Sequence, residues 1–252
     1  MQENIFRPLG MTDTTFFPFE GDQKARLMPL RWWDQESEAF EVLGTQFPGL
    51  TLPRAYAAPP YPRRKADIVA RRKQHIEYAV GGGGIYSNAF DYSILTRHLL
   101  RAFLYPQAAA TTALLQPATL STLFAPSLSA SAGAGITALF GTWYEATELG
   151  ELDWSTGMCV YMKRERRGGW RRRSGTAGWM GAGGTEFFID PESQITVTDA
   201  CSHAVRTSTD REWALQVVFS TNLLPFSAPE ISKVKVRLEK AIYAGLVEHR
   251  KL

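Results

Sequence analysis

Apolar positions along the chain change their spacing near residue 150, from helical or absent periodicity to the alternation of strands. Met1-Gln2-Glu3-Asn4-Ile5-Phe6 reads as the end of a helix, stopped by Arg7-Pro8-Leu9-Gly10, because proline and glycine interrupt helical backbone. Residues 17–80 are rich in proline and show little periodicity, which predicts irregular structure with short helices. Pro59-Pro60-Tyr61-Pro62 favours an extended path. Gly81-Gly82-Gly83-Gly84 permits a tight or left-handed backbone. Asn88 is then a good helix N-cap, with Asp91 three residues on as an approximate capping box. Phe90, Ile94, Leu95, His98, Leu99, Ala102 and Phe103 follow at helical spacing and predict an amphipathic helix over 89–104. A weaker helix is predicted over 117–124, and the small residues of 127–135 read as a flexible loop.

Beyond 150 the pattern suits strands at 158–163 and 171–180. Glu186-Phe187-Phe188-Ile189, the turn residues Asp190-Pro191-Glu192-Ser193 and the alternating 194–200 predict a β-hairpin with one apolar and one polar face. Residues 213–219 read as a strand or short helix. A last helix begins near Pro229, with Ile231, Val234, Leu238, Ala241, Ile242 and Leu246 on one side. Helical, loop-rich sequence over 1–150 followed by strands and a helix over 151–252 predicts one α+β domain, not an alternating parallel sheet.

Composition adds limits. The chain has 252 residues, 44% hydrophobic and 12% aromatic, with seven tryptophans, which argues for a packed core. A net charge of +3 is small for this length. Arginine gathers in 62–73 and 163–173, but no nucleic-acid readout motif accompanies either run, so both read as solvated loops and no nucleic acid is expected as a partner. Cys159 and Cys201 are too few for a disulfide framework and read as reduced residues of the core or a strand. No apolar run is long enough to span a membrane, and the first residues lack a signal-peptide pattern, so no membrane partner and a cytoplasmic location are expected.

Four ordered segments resemble the β-lactamase-related serine hydrolases, which include class C β-lactamases and penicillin-binding proteins, and among them the fungal esterase and transesterase branch. The first is Ile5-Phe6-Arg7-Pro8-Leu9-Gly10-Met11-Thr12-Asp13-Thr14-Thr15-Phe16, followed by Arg26-Leu27-Met28-Pro29. The third runs from Gly81 through Tyr86-Ser87-Asn88-Ala89-Phe90-Asp91-Tyr92 into a helix carrying Leu99-Leu100. The fourth runs from Ser174 through Trp179, Gly181, Gly183-Gly184-Thr185 to Ile189-Asp190-Pro191. The resemblance implies a partial β-lactamase/transpeptidase-like fold: an antiparallel sheet, a C-terminal helix and part of the helical region. It implies a covalent mechanism in which the serine of a Ser-x-x-Lys turn attacks an ester or acyl carbonyl, while the lysine and a tyrosine handle the proton. No cofactor and no metal enter that mechanism.

Carried onto this chain, the family's third motif falls on Trp179-Met180-Gly181, with the Ala182 amide as half of an oxyanion hole. Strand alternation puts Trp179 and Gly181 on one face and Met180, where the family has a small residue, on the other. Tyr86 is a candidate lining residue. In the family the serine, lysine and tyrosine motifs precede the segment that begins here at Ile5, so the expectation is a C-terminal portion, one incomplete domain, that is inactive alone. The one Ser-x-x-Lys, Ser232-Lys233-Val234-Lys235, is a match that chance alone supplies, and it reads as a solvated helix face. Tyr86-Ser87-Asn88 matches Tyr-x-Asn, but Asn88 is already accounted for as an N-cap. Asp199, Cys201, Ser202 and His203 read as structural polar residues, since neighbours on a strand face opposite ways. The expected substrate is a small-molecule ester or acyl compound. The alternative is a non-catalytic binding module that keeps part of the cleft. With the family's N-terminal strands absent, the strand at 213–219 is expected to be an exposed edge and to promote self-association.

Overall fold

A computed structural model of the chain describes residues 1–17, 21–26, 31–34, 39–42, 85–109, 112–141, 150–162, 172–181, 185–199, 206–210, 214–219, 223–224 and 229–249. It is α+β, as the order of the sequence patterns predicts. Ten strands are described: β1 (Arg31–Asp34), β2 (Ala39–Val42), β3 (Leu152–Trp154), β4 (Cys159–Tyr161), β5 (Thr176–Met180), β6 (Glu186–Asp190), β7 (Ile195–Asp199), β8 (Arg206–Asp210), β9 (Ala214–Phe219) and β10 (Leu223–Leu224). Seven of them form one sheet in the order β3-β4-β5-β6-β7-β9-β8. Its neighbours are antiparallel except for β7 and β9, which run parallel. The small second sheet, β10-β1-β2, falls partly inside 17–80. Those residues read from sequence as irregular, and the strands went unseen because four residues are too few for alternation to register.

The helices are α1 (Arg7–Leu9), α2 (Ala89–Leu104), α3 (Pro106–Ala109), α4 (Pro117–Thr122), α5 (Ala130–Phe140) and α6 (Pro229–His249). A π-helical turn, Gln2–Phe6, runs straight into α1 through Pro8, so the stop falls at Gly10. There φ is 71°, the left-handed conformation that glycine adopts without a steric cost. Helix α5 replaces the flexible loop expected over 127–135. Its alanines favour helix, and the Ser129 hydroxyl caps it by accepting from Ala132 N at 3.3 Å, which Gly133 and Gly135 disguise in the sequence.

Helix α2 has the predicted bounds, and Asn88 Oδ1 accepts from Asp91 N at 2.8 Å as its N-cap. Its buried face differs from the predicted stripe. Ala89, Asp91, Ser93, Thr96, Leu100 and Ala102 are buried, whereas Phe90 is 41% exposed. The reason lies in the sheet. Both faces of β7 are covered, so Thr196 and Thr198 are as buried as Ile195 and Val197, and the polar face predicted for this hairpin meets α2 instead of water. Thr96 Oγ1 lies 3.4 Å from Thr198 Oγ1, and Gln216 Nε2 of β9 donates to Ser93 O at 2.6 Å. Polar groups buried in this way need partners, and helix and sheet supply them to each other at these two contacts, whereas Thr196 Oγ1 has none among the described residues.

The core is thus in layers. Leu100 and Ala102 of α2 and Leu120 of α4 pack with Val160, Ala177 and Ile189 on one face of the sheet. On the other, Tyr243 of α6 closes over Phe188, Ile195, Val197 and Val217. Helix α5 covers Leu152, Cys159 and Tyr161 with Ile136 and Phe140. The inward face of α6 keeps Leu238, Ile242 and Leu246 of the predicted stripe and departs from it at Val234 and Ala241. Val234 is 47% exposed and Ala241 is also outside, while Lys235, Glu239, Ile242, Tyr243 and Leu246 turn inward.

Strand β9 is not the edge expected of it. It is flanked by β7 and β8, so among the described residues the sheet ends at β8. Pairing beyond β9 by 206–210, which carry no apolar alternation, is a long-range choice that local pattern does not encode.

Candidate active site

Two recognised segments, far apart in sequence, meet at the start of α2. The Asp91 carboxylate accepts from Asp13 N and from Thr14 Oγ1, each at 2.8 Å and both through Oδ2. Asn88 Nδ2 donates to Asp13 Oδ2 at 2.9 Å, and Arg26 donates to Asp13 Oδ1 at 2.7 Å. The Arg26 hydrogen bond, opposed by partial burial, holds the Asp13 carboxyl below its usual range. Asp91 therefore does not return to the backbone of Asn88 as a capping box would; it clips the Met11-Thr12-Asp13-Thr14 turn to the helix. Thr15 and Tyr86 complete the clip with a two-way backbone bridge, Thr15 N to Tyr86 O at 2.9 Å and Tyr86 N to Thr15 O at 2.8 Å. Tyr86 is thereby fixed by its backbone beside the N-terminus of α2, with a half-buried side chain.

The third-motif candidates lie on β5 where it turns into β6. Trp179 is opposite Phe187 and Met180 opposite Glu186. Gly181 N donates to Thr185 O at 2.7 Å and closes the hairpin, whose tip, including Ala182, lies outside the described residues. Both glycines here sit at close approaches, against backbone at Gly178 and against a side-chain hydroxyl at Gly181. A Cβ on Gly178 would fall 2.2 Å from Phe187 O, and one on Gly181 would fall 2.5 Å from Thr185 Oγ1. Trp179 is half-buried, its ring edge-on to Trp154 of β3 at 4.5 Å and to Phe140 of α5 at 5.2 Å between centroids. Such packing fixes the indole as a rigid wall. Met180 is also half-buried.

Tyr92 joins the site, a residue that in the sequence stands out only as part of the segment 81–92. Its ring sits 5.2 Å from that of Phe187, the cross-strand partner of Trp179. Burial pushes its phenol up to about 12, so near neutrality it is protonated and suited to donating a hydrogen bond. The cue, four residues after an N-cap, is no different from that of any helical aromatic.

The other candidates separate. Cys159 is buried on β4, and burial pushes its thiol up to about 12, which makes it a poor nucleophile. Cys201, Ser202 and His203 lie outside the described residues. Of the Ser-x-x-Lys match on α6, Lys235 faces the sheet and donates to Glu186 Oε2 at 3.4 Å, so that part of the helix is not the solvated face expected. Arg172, at the end of the second basic run, is likewise buried against Glu186 and Glu239 instead of lying in a solvated loop. Residues 62–73 lie outside the described residues. Among the described residues no group of His, Cys, Asp and Glu is gathered to hold a metal ion, and no helix is long and apolar enough to cross a membrane.

A sheet with helices on both faces, carrying at its centre a hairpin walled by tryptophan and glycine and backed by a C-terminal helix, is a β-lactamase-like fold. A family model described as Beta-lactamase matches residues 1–220, and the chain belongs to that family. Among solved structures, the LovD6 mutant of simvastatin synthase from Aspergillus terreus superposes with a TM-score of 0.66 at 20% identity over 98% of this chain and 49% of that one. The unliganded enzyme from the same organism gives 0.63 at 19% identity, over 97% of this chain and 48% of that one. The chain thus spans about half the length of these structures. No match was found among curated proteins.

Proposed function

We propose that this chain forms the C-terminal portion of a serine hydrolase or acyltransferase acting on small-molecule esters or acyl groups. Membership of the Beta-lactamase family over residues 1–220 is the observation that carries the reading. The structural likeness to simvastatin synthase supports it at the level of fold. In this reading Trp179 and Gly181 form one wall of the acyl pocket, Met180 shapes the opposite face of its strand, Tyr86 lines the entrance beside α2, and the Ala182 amide offers half of an oxyanion hole. Two donors aimed at a developing oxyanion normally act together, and the attacking serine's own amide is the second. The family's Ser-x-x-Lys has no counterpart suited to the task in these 252 residues, because Lys235 of the one match is engaged by Glu186. The chain alone is therefore expected to bind and not to turn over, since losing the attacking group removes nearly all covalent catalysis.

The test is incubation of the purified chain with an activated aryl ester. The expected result is saturable binding that Trp179→Ala weakens, with no ester cleavage above buffer. Cleavage abolished by a serine-directed covalent inhibitor would overturn the inactive reading. Absence of any ester binding would overturn the pocket assignment.

A further inference from the structure

Behind the hairpin, on the α6 face of the sheet, four charged side chains are drawn out of water together. Arg172 Nη2 donates to Glu186 Oε1 at 2.6 Å and to Glu239 Oε2 at 3.2 Å, and Arg172 Nε donates to Glu239 Oε1 at 3.2 Å. Lys235 Nζ donates to the second Glu186 oxygen at 3.4 Å. The Arg172 guanidinium also lies 4.1 Å over the Phe188 ring. Side-chain exposures are only 12–23%, and the charges sum to zero. These residues line a cavity between β6 and α6 that neither Trp179 nor Gly181 reaches.

An ion network of this kind is a poor way to add stability. Desolvating four charges offsets most of their attraction, and apolar residues of like volume would serve as well or better. What such a network does enforce is geometry, since each group must sit where its partners are. Its position is therefore informative. Glu186 is the first residue of β6 and the register partner of Met180, and one residue before it Thr185 O accepts the Gly181 amide. Arg172 stands at the approach to β5, and Lys235 and Glu239 are one turn apart on α6. The network thus ties the loop end of β6, at Glu186, and the segment leading into β5, at Arg172, to the C-terminal helix.

We propose that Glu186 and Arg172 are positioning residues, through which α6 sets the alignment of the Trp179-Met180-Gly181 strand end against Thr185. The inference rests on the reading of that hairpin as a pocket wall, and it gives the C-terminal helix a part in the site without touching substrate. Burial opposes the charge of Glu186, but Arg172 and Lys235 more than offset it and hold the carboxyl below its usual range. Burial likewise opposes the charge of Arg172, and Glu239 with Glu186 overcomes it. Glu186 and Arg172 therefore stay charged at neutral pH.

The experiment compares two variants of the full chain on the same helix. Glu239→Gln removes one clasp contact without altering the hairpin, and Leu246→Ala loosens the packing of α6 away from the network. Amide resonances of Gly181 and Thr185 are recorded in each, together with thermal melts and binding of an aryl ester. Glu239→Gln is expected to shift both resonances and to weaken ester binding by about threefold or more. Leu246→Ala is expected to lower the melting temperature with both resonances in place. Equal shifts in the two variants would mean that the network acts only as general support, and no shift in Glu239→Gln would mean that it does not reach the hairpin; either overturns the proposal. If the unmodified chain binds no ester, the functional reading fails, while the resonances still decide whether α6 positions the strand end.

Discussion

Asp91 concentrates more tertiary consequence than any other single side chain near the candidate site. One of its oxygens satisfies a backbone amide and a hydroxyl from a segment nearly eighty positions earlier. Replacing it with alanine leaves Thr14 Oγ1 and Asp13 N without that acceptor, and Thr14 is only 3% exposed. Asp91→Ala should therefore cost about 2–3 kcal/mol, read as a lower urea midpoint with little change in slope. His98 makes a different kind of contact, its Nε2 accepting from Leu114 N at 3.1 Å, which only a neutral ring can do. Burial, with help from Arg101, lowers its pKa below the ordinary imidazole value. The folded state then favours the neutral form. The stability it contributes is complete above about pH 6.5, the unfolded value, and is lost as pH falls through the lower folded value. Melts between pH 7.5 and 5 should show a decline that is shallower in His98→Gln, while an equal decline in both would refute the assignment. Neither role was legible in the sequence. Asp91 read as half of a capping box and His98 as one of a helical stripe, because a side chain's distant partner leaves no local trace.

At the scale of elements, the hairpin of β5 and β6 depends on an absent side chain. Gly178→Ala would drive a methyl to 2.2 Å from Phe187 O and 2.8 Å from Phe188 Cα, where backbone has to move. A loss of about 3 kcal/mol is expected in chemical denaturation, along with weaker ester binding. Gly135→Ala on α5 is the opposite case, with nothing within 4 Å of the new methyl. There the substitution should add up to about 1 kcal/mol, because alanine loses less backbone freedom in a helix. If both variants were equally destabilised, the close approach at Gly178 would not be the cause. Elements with a long repeating pattern, α2 and the β6–β7 hairpin, were legible in sequence, the helix to its ends. Short strands such as β3 and the glycine-bearing α5 were not, because packing and a cap, not periodicity, hold them.

For the molecule as a whole, the outer strand that follows β7 and β9 in the sheet matters most. Strand β8 pairs with β9 on one side and has no strand on the other among the described residues. An unpaired strand edge offers a row of backbone donors and acceptors to another chain. We propose that the isolated chain self-associates through β8 in place of the β9 edge first expected. Sedimentation should show mass rising with concentration, and an insertion of proline at Ser208 should reduce it. A concentration-independent monomer would contradict this.

The sequence by itself determined the α+β order, the bounds of α2, the β6–β7 hairpin and, through four ordered segments, the family. These are local or linear properties, carried by spacing and by motif residues in succession. Only the tertiary structure decided which faces are buried, that Asp91 joins the first segment to the third, that β9 lies between β7 and β8 and is no edge, and that Arg172 and Lys235 turn inward to clasp Glu186. The physical reason is common to all of them. Burial and charge pairing depend on what lies opposite, and that partner is set by the whole chain's packing, not by the neighbours in sequence.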